Sequence, residues 1–123
     1  MLNRRQLIGK TGESIAARFL RNKGYRILEQ NYRTRLGEID IIARDRETLV
    51  FVEVKARNSH NFGNPKSSIT PHKQRKISMV ALQYLKATDQ TRTKARFDVI
   101  AICGAEKSPQ IELIKNAFEL AYE

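Results

Sequence analysis

Apolar residues recur at helical spacing at Ile15, Ala16, Phe19 and Leu20, and Gly24 is a natural stop. This spacing predicts a helix over 11–23, with room to begin several residues earlier, around Arg4. A weak alternation around Ile27 and Leu28 predicts a first strand over 25–30, and the polar, basic stretch 31–36 reads as a turn or short extended link. Two β-rich runs, 38–43 and 49–57, flank the polar segment 44–48 and predict a hairpin. The stretch 58–68 holds Gly63, Pro65 and several Asn and Ser without periodicity, which predicts a mobile loop. The clearest element is a second helix over 70–87: Ile77, Val80, Ala81, Tyr84 and Leu85 form one apolar stripe, Thr70 is placed to cap it, and Pro71 takes the first helical position. A basic link over 88–95 leads to strands over 97–103 and 111–114, around a turn at 104–109. Residues 117–122 either form a short helix or dock as a tail. No internal repeat or boundary breaks the chain, so 1–123 is expected to be a single domain. The order α-β-β-β-α-β-β predicts a mixed α/β fold with an antiparallel hairpin at its centre and a helix crossing over to the later strands.

Composition narrows the class of partner. The 123 residues suffice for one hydrophobic core without staples. Lys and Arg number 23 against 13 Asp and Glu, a formal net charge of +10. Such a field favours polyanions: DNA, RNA or an anionic membrane face. The membrane is the weakest of these, because no apolar run approaches the roughly 20 residues of a spanning helix. The opening residues, with Arg4, Arg5 and Lys10, lack the apolar stretch of a secretory signal. A single cysteine, Cys103, excludes a disulfide within the chain and a Cys metal cluster; in an apolar run it is expected to be a buried small hydrophobe. The lack of a disulfide framework fits a reducing cytoplasm.

The hairpin carries the candidate chemistry. Strand alternation places Glu38, Asp40 and Ile42 on one face and Ile39, Ile41 and Ala43 on the other; in the next run Glu53, Lys55 and Arg57 continue the face of Leu49 and Phe51. If Arg44 pairs with Leu49 across a four-residue turn, Asp40 lies opposite Glu53 and Glu38 opposite Lys55. Like charges directly opposed across a sheet are destabilising. Two such carboxylates need a shared proton or a cation between them, and an oxygen-only set points to Mg²⁺ or Mn²⁺ rather than Zn²⁺. Lys55 is then a general base or an electrostatic clamp. The competing interpretation is a solvated hairpin face with Glu38–Lys55 and Glu53–Lys55 ion pairs.

The segments Gly37-Glu38-Ile39-Asp40 and Val52-Glu53-Val54-Lys55 resemble the D…(E/D)-x-K half-sites of the restriction-endonuclease-like PD-(D/E)xK superfamily. Together with Gly12-Glu13, the runs 37–43 and 50–57, Phe62-Gly63 and Arg96-Phe97-Asp98-Val99, they resemble more closely the bacterial YraN family of small proteins, which is similar to archaeal Holliday-junction resolvases. The resemblance spans most of the chain. It implies an αβββαβ core, a central mixed sheet flanked by helices, and activity on structured or branched DNA in preference to RNA. It also implies Asp40 and Glu53 as metal-binding carboxylates, Lys55 as the catalytic lysine, and Glu13 as the helix-borne acid that completes the metal and catalytic set. Ile39 stands where many members of the wider superfamily have proline, which is not a ligand.

Other residues take supporting roles. Glu38 is a second carboxylate beside the site or a partner of Lys55. His72, Lys73, Arg75 and Lys76 crowd the first turns of the second helix, against the macrodipole, which suits a bound phosphate. Lys73, four residues before Ile77, lies over the inward stripe and is the leading substrate contact. Arg33, Arg35 and Arg57, with Lys76 and Arg75, are expected to position phosphates, as are the early cluster Arg18, Arg21, Lys23 and Arg26 and the late cluster Arg92, Lys94 and Arg96. An ion pair is the expected role of Asp98 with Arg96. His60 and His72 lack ligand spacing. A junction cutter needs two sites and hence a homodimer, although no apolar surface stripe announces one. Three functions stay open: a metal-dependent endonuclease, a non-catalytic nucleic-acid-binding module, and a basic accessory protein of a nucleoprotein assembly.

Overall fold

In the computed structural model, which describes residues 3–57, 69–104 and 108–119, the chain opens with a capped helix. Asn3 Oδ1 accepts from the Gln6 backbone N–H at 2.8 Å, and Gln6 Oε1 accepts from the Asn3 N–H at 3.0 Å. This reciprocal capping box starts α1 (Arg4–Asn22) at the early limit of the expected range. Gly24, at φ 92°, ends it, and the Gly24 and Tyr25 N–H groups donate back to Arg21 and Leu20 carbonyls at 3.0 and 2.9 Å. Three strands follow, β1 (Arg26–Thr34), β2 (Gly37–Asp45) and β3 (Thr48–Arg57). Then come α2 (Pro71–Ala87), β4 (Ala95–Cys103) and β5 (Gln110–Phe118). Thr70 caps α2 as expected, its hydroxyl accepting from the Lys73 N–H at 3.2 Å. The expected loop over 58–68, the Phe62-Gly63 segment and His60 lie outside the described residues, as do residues 105–107 and 120–123.

The five strands lie in the order β1-β2-β3-β4-β5. All neighbours are antiparallel except β3 and β4, which are parallel and joined through α2, since a parallel pair needs a long crossover. This is the mixed α/β sheet of a restriction-endonuclease-like core. Arg44 pairs with Leu49 as expected, but Asp45 also pairs with Thr48, so the turn is tighter than anticipated and Arg46 takes φ 58°.

Two elements outrun the sequence pattern. β1 continues to Thr34 through the expected link, because Tyr32 packs edge-on against Tyr84 of α2 with ring centroids 5.2 Å apart. β5 runs to Phe118, so Ala117 and Phe118 lie in a strand rather than a helix or tail; Phe118 stacks on Phe97 at 4.7 Å.

The sheet buries both faces. Under α2 lie Ile39, Ile42, Leu49, Phe51, Phe97 and Val99 with the helix residues Ile77, Val80, Ala81, Tyr84 and Leu85. Under α1 lie Ile41, Ala43, Val50, Val52, Ile100 and Ile102 with Ala16, Ala17 and Leu20. Cys103 is buried, and burial pushes its thiol pKa up. α1 sits low on β3 at one point: a Cβ on Gly12 would stand 2.5 Å from Ala56 Cβ, closer than two carbons tolerate. No described helix is long and apolar enough to cross a membrane.

At the hairpin-turn end of the sheet, Asp98 is fully buried and takes Arg96 Nε at 3.1 and 3.2 Å and the Asn116 N–H at 3.1 Å. Arg96 Nη2 also reaches Asp45 at 3.0 Å and the Tyr25 hydroxyl at 2.6 Å. The expected Arg96–Asp98 pair is therefore real. The phosphate role expected for Arg96 is not: its guanidinium is turned inward to tie β2, β4, β5 and the end of α1 together.

Candidate functional site

The site forms where the hairpin ladder stops. Pairing of β2 with β3 runs from Asp45↔Thr48 to Ile41↔Val52 and goes no further. Beyond it the Val54 N–H donates to Asp40 Oδ2 at 2.8 Å, so a side chain takes the place of a backbone acceptor. The alternation of β2 also breaks here. Ile39 and Ile42, three positions apart, both sit under α2, whereas Ile41 and Ala43 sit under α1. The expected face shared by Glu38, Asp40 and Ile42, with Ile39 grouped with Ile41, is thus corrected. The break has a counterpart across the strand pair: Gln30 and Tyr32 pair with Ile41 and Ile39, and Asn31 between them takes the left-handed φ of 54°. Neither expected cross-strand pair, Asp40–Glu53 nor Glu38–Lys55, is part of the ladder, since β3 leaves β2 after Val52; on its other side Glu38 pairs with Arg33 of β1.

Alternation does hold on β3. Leu49 and Phe51 belong to the core under α2, so Glu53 and Lys55 continue toward α2 while Val54 and Ala56 pack toward α1. Glu53 is half-buried, and its carboxyl is pushed up to about 9, first by burial and then by Asp40, which stands close enough to share its proton. Lys55 pulls the other way on Glu53, as does Lys73 of α2. Lys55 itself is lowered from the ordinary lysine range by burial first and then by Lys73, which lies at hydrogen-bonding range. A carboxyl pushed toward its neutral form and a lysine of lowered pKa therefore stand side by side, with Lys73 of α2 close by.

Glu13 enters from α1. Its carboxyl is raised by burial and by the charges of Asp40 and Glu38. The orientation of the Asn31 amide that satisfies its neighbours turns the nitrogen to these acids, 3.2 Å from both Glu13 oxygens and 3.1 Å from Glu38 Oε1. Arg33 Nε lies 3.4 Å from the same Glu38 oxygen and is largely exposed. Glu13, Glu38, Asp40, Glu53, Lys55 and Lys73 thus gather around one end of the hairpin, as expected, with Glu38 facing β1.

An oxygen-only donor set is the type that hard cations such as Mg²⁺ or Mn²⁺ take. The acids offer only oxygen, and Asp40 and Glu53 sit where either a shared proton or a hard cation must relieve their repulsion. Among the described residues no three His, Cys, Asp or Glu side chains close into a metal-holding set; Asp40 and Glu53 form a pair, with Glu13 held beside it by Asn31. Of the expected phosphate contacts, Arg75 and Lys76 are exposed on α2, Arg57 is exposed at the end of β3, and Arg33 and Arg35 are exposed at the β1–β2 corner. Asn31 was not anticipated. Its only signal in the sequence is an Asn in a polar stretch, a residue type that tolerates a left-handed backbone.

The family described as "Uncharacterised protein family UPF0102" matches residues 12–102. A UPF0102 protein of Desulfosudis oleivorans is 56% identical over 119 residues, covering 97% of this chain and 95% of that one. One from Syntrophus aciditrophicus is 55% identical, covering 93% and 90%. Another, from Geobacter sulfurreducens, is 50% identical, covering 95% and 92%.

Proposed function

The chain belongs to the UPF0102 family, the YraN family that its sequence resembles, and we propose that it is a divalent-metal-dependent endonuclease of structured or branched DNA. The observation that carries this is the meeting of Asp40, Glu53 and Lys55 where the β2–β3 ladder stops, with the Val54 N–H donated to Asp40. Asp40 and Glu53, with Glu13, would hold Mg²⁺ or Mn²⁺, which when bound supplies a Lewis acid for the charge that builds on the scissile phosphate. Lys55, whose pKa burial lowers from the ordinary lysine value, would accept the proton of the attacking water. Lys73 stays at the cleft as a cation for a phosphate oxygen. Lys76, Arg75, Arg57, Arg33 and Arg35 align the backbone of the nucleic acid without reading its bases. The net charge of +10 draws that substrate in, and a reducing cytoplasm is the compartment that suits it.

The test is cleavage of a labelled panel (duplex, single strand, flap, four-way junction and RNA) with Mg²⁺, Mn²⁺ or EDTA. Metal-dependent cutting, strongest on the branched DNAs, is expected to fall by about a hundredfold or more in Asp40→Asn, Glu53→Gln and Lys55→Ala. Binding without cutting, unchanged by EDTA and by all three substitutions, would overturn the proposal in favour of a binding module.

A further inference from the structure

The corner between β1 and β2 carries a side chain that no core uses. Leu36 at its tip is 39% exposed, the one large apolar side chain left to solvent among the described residues. A lone exposed leucine is ordinary on a protein surface, so its surroundings decide what it means. The tip is held on both sides. The Leu36 N–H donates to Thr34 Oγ1 at 3.0 Å, and Gly37 follows at φ 152°, a backbone that side chains rarely adopt. A Cβ on Gly37 would meet Val80 Cγ2 at 3.5 Å, so the corner leans on α2, where the exposed Lys76 lies one turn before Val80 on the same side. Arg35 precedes the tip and is exposed; Arg33, although 3.4 Å from Glu38, is exposed as well. A fixed apolar point thus stands among three cations at the rim of the acid cluster. Leu36 is separated from Asp40 by at most about 14 Å of extended chain.

We propose that Leu36 is a specificity-determining wedge: Arg33, Arg35 and Lys76 hold phosphates around it, and the leucine enters the base stack where a branch, flap or bulge has already parted it. The substrate class rests on the proposed function. Cations alone bind any duplex, because phosphates carry no shape of their own. Opening a continuous stack costs free energy that a branch point does not demand, so burial of the leucine favours interrupted DNA alone. At about 3.4 Å per stacked pair, the wedge and Asp40 span about four base pairs.

Fluorescence anisotropy in EDTA tests this without cleavage, on a four-way junction, a flap, a bulged duplex and a continuous duplex of equal length. Wild type is expected to favour the interrupted DNAs by about tenfold, the scale set by burying one leucine side chain. Leu36→Ala should lose that preference and bind continuous duplex within about twofold of wild type, whereas Arg35→Ala should weaken all four DNAs alike. A 2-aminopurine base at the branch reports unstacking directly: its fluorescence should rise on binding wild type and stay low with Leu36→Ala. A preference or a fluorescence rise that survives in Leu36→Ala, or a wild type without preference, would overturn the wedge while leaving the cleavage site standing. A wild type that binds none of the DNAs would overturn both.

Discussion

Glu53→Gln is expected to make the protein more stable while removing the proposed cleavage activity. The folded carboxyl titrates at about 9 against an ordinary value of 4.5. Between those values the folded state holds a proton that the unfolded chain has released, so stability is full below about pH 4.5 and declines as pH rises toward 9. At pH 7.5 the full cost is about 4 kcal/mol, from roughly 1.4 kcal/mol for each of three pH units, and relaxation around a half-buried group reduces it to about 2–4 kcal/mol. Glutamine has the same shape, carries no proton to lose, and can donate to Asp40 as the protonated acid does. In EDTA at pH 7.5 the variant should therefore melt about 5–15 °C above wild type. Lys55, whose pKa is lowered, contributes with the opposite sign, so the quantity to follow is the difference between variant and wild type. Thermal unfolding by circular dichroism at pH 5, 6, 7 and 8 should show that difference widening with pH. Adding Mn²⁺ should raise the melting temperature of wild type and leave Glu53→Gln nearly unmoved. A difference that is flat with pH, or a variant that is less stable at pH 7.5, would refute the shared proton and make Glu53 an ordinary ionised partner of Lys55.

Gly12→Ala should destabilise by about 1–2 kcal/mol. Crowding against Ala56 costs about 1–3 kcal/mol and the gain in helix propensity returns up to about 1, which a urea titration resolves. Because α1 must then lift away from β3, the same variant should bind Mn²⁺ more weakly. Asp98→Ala should lower stability by about 2–4 kcal/mol, since it removes the buried acceptor of both the Arg96 Nε–H and the Asn116 N–H while Asp45 still pairs the guanidinium; a urea midpoint within error of wild type would contradict the network. Cys103 should react with a thiol reagent about a hundredfold more slowly in the native protein than in denaturant at pH 8, because burial both shields it and raises its pKa.

The parts of the fold that were legible are those whose residues face a core. α2 showed its stripe and its cap, and Arg44↔Leu49 followed from the hairpin's two apolar runs. β1 was half legible because it is an edge strand, largely exposed beyond Leu28, so no apolar alternation marks its second half. The break in β2 at Asp40 was invisible for a different reason. It coincides with the left-handed Asn31 on another strand, and a period-two pattern within β2 contains no trace of it. Asp40, Glu53 and Lys73 were singled out by type and spacing and Glu13 by the family resemblance, while Arg96 was misjudged because a cation in sequence does not reveal whether it turns to solvent or to a buried carboxylate. The capping box at Asn3 and Gln6 was readable as Asn-x-x-Gln, and it fixes where α1 begins.

The bond from the Val54 N–H to Asp40 bears on how the acid persists through evolution. A lineage that gave up the chemistry would be free to change Lys55 or Glu13, yet it would still need an acceptor at position 40 to close the hairpin. The aspartate would therefore outlast the activity, and its presence alone in a distant descendant would report architecture. Lys55, which takes no part in the bond that closes the hairpin, is the residue whose loss should come first and whose retention would speak for the proposed catalysis.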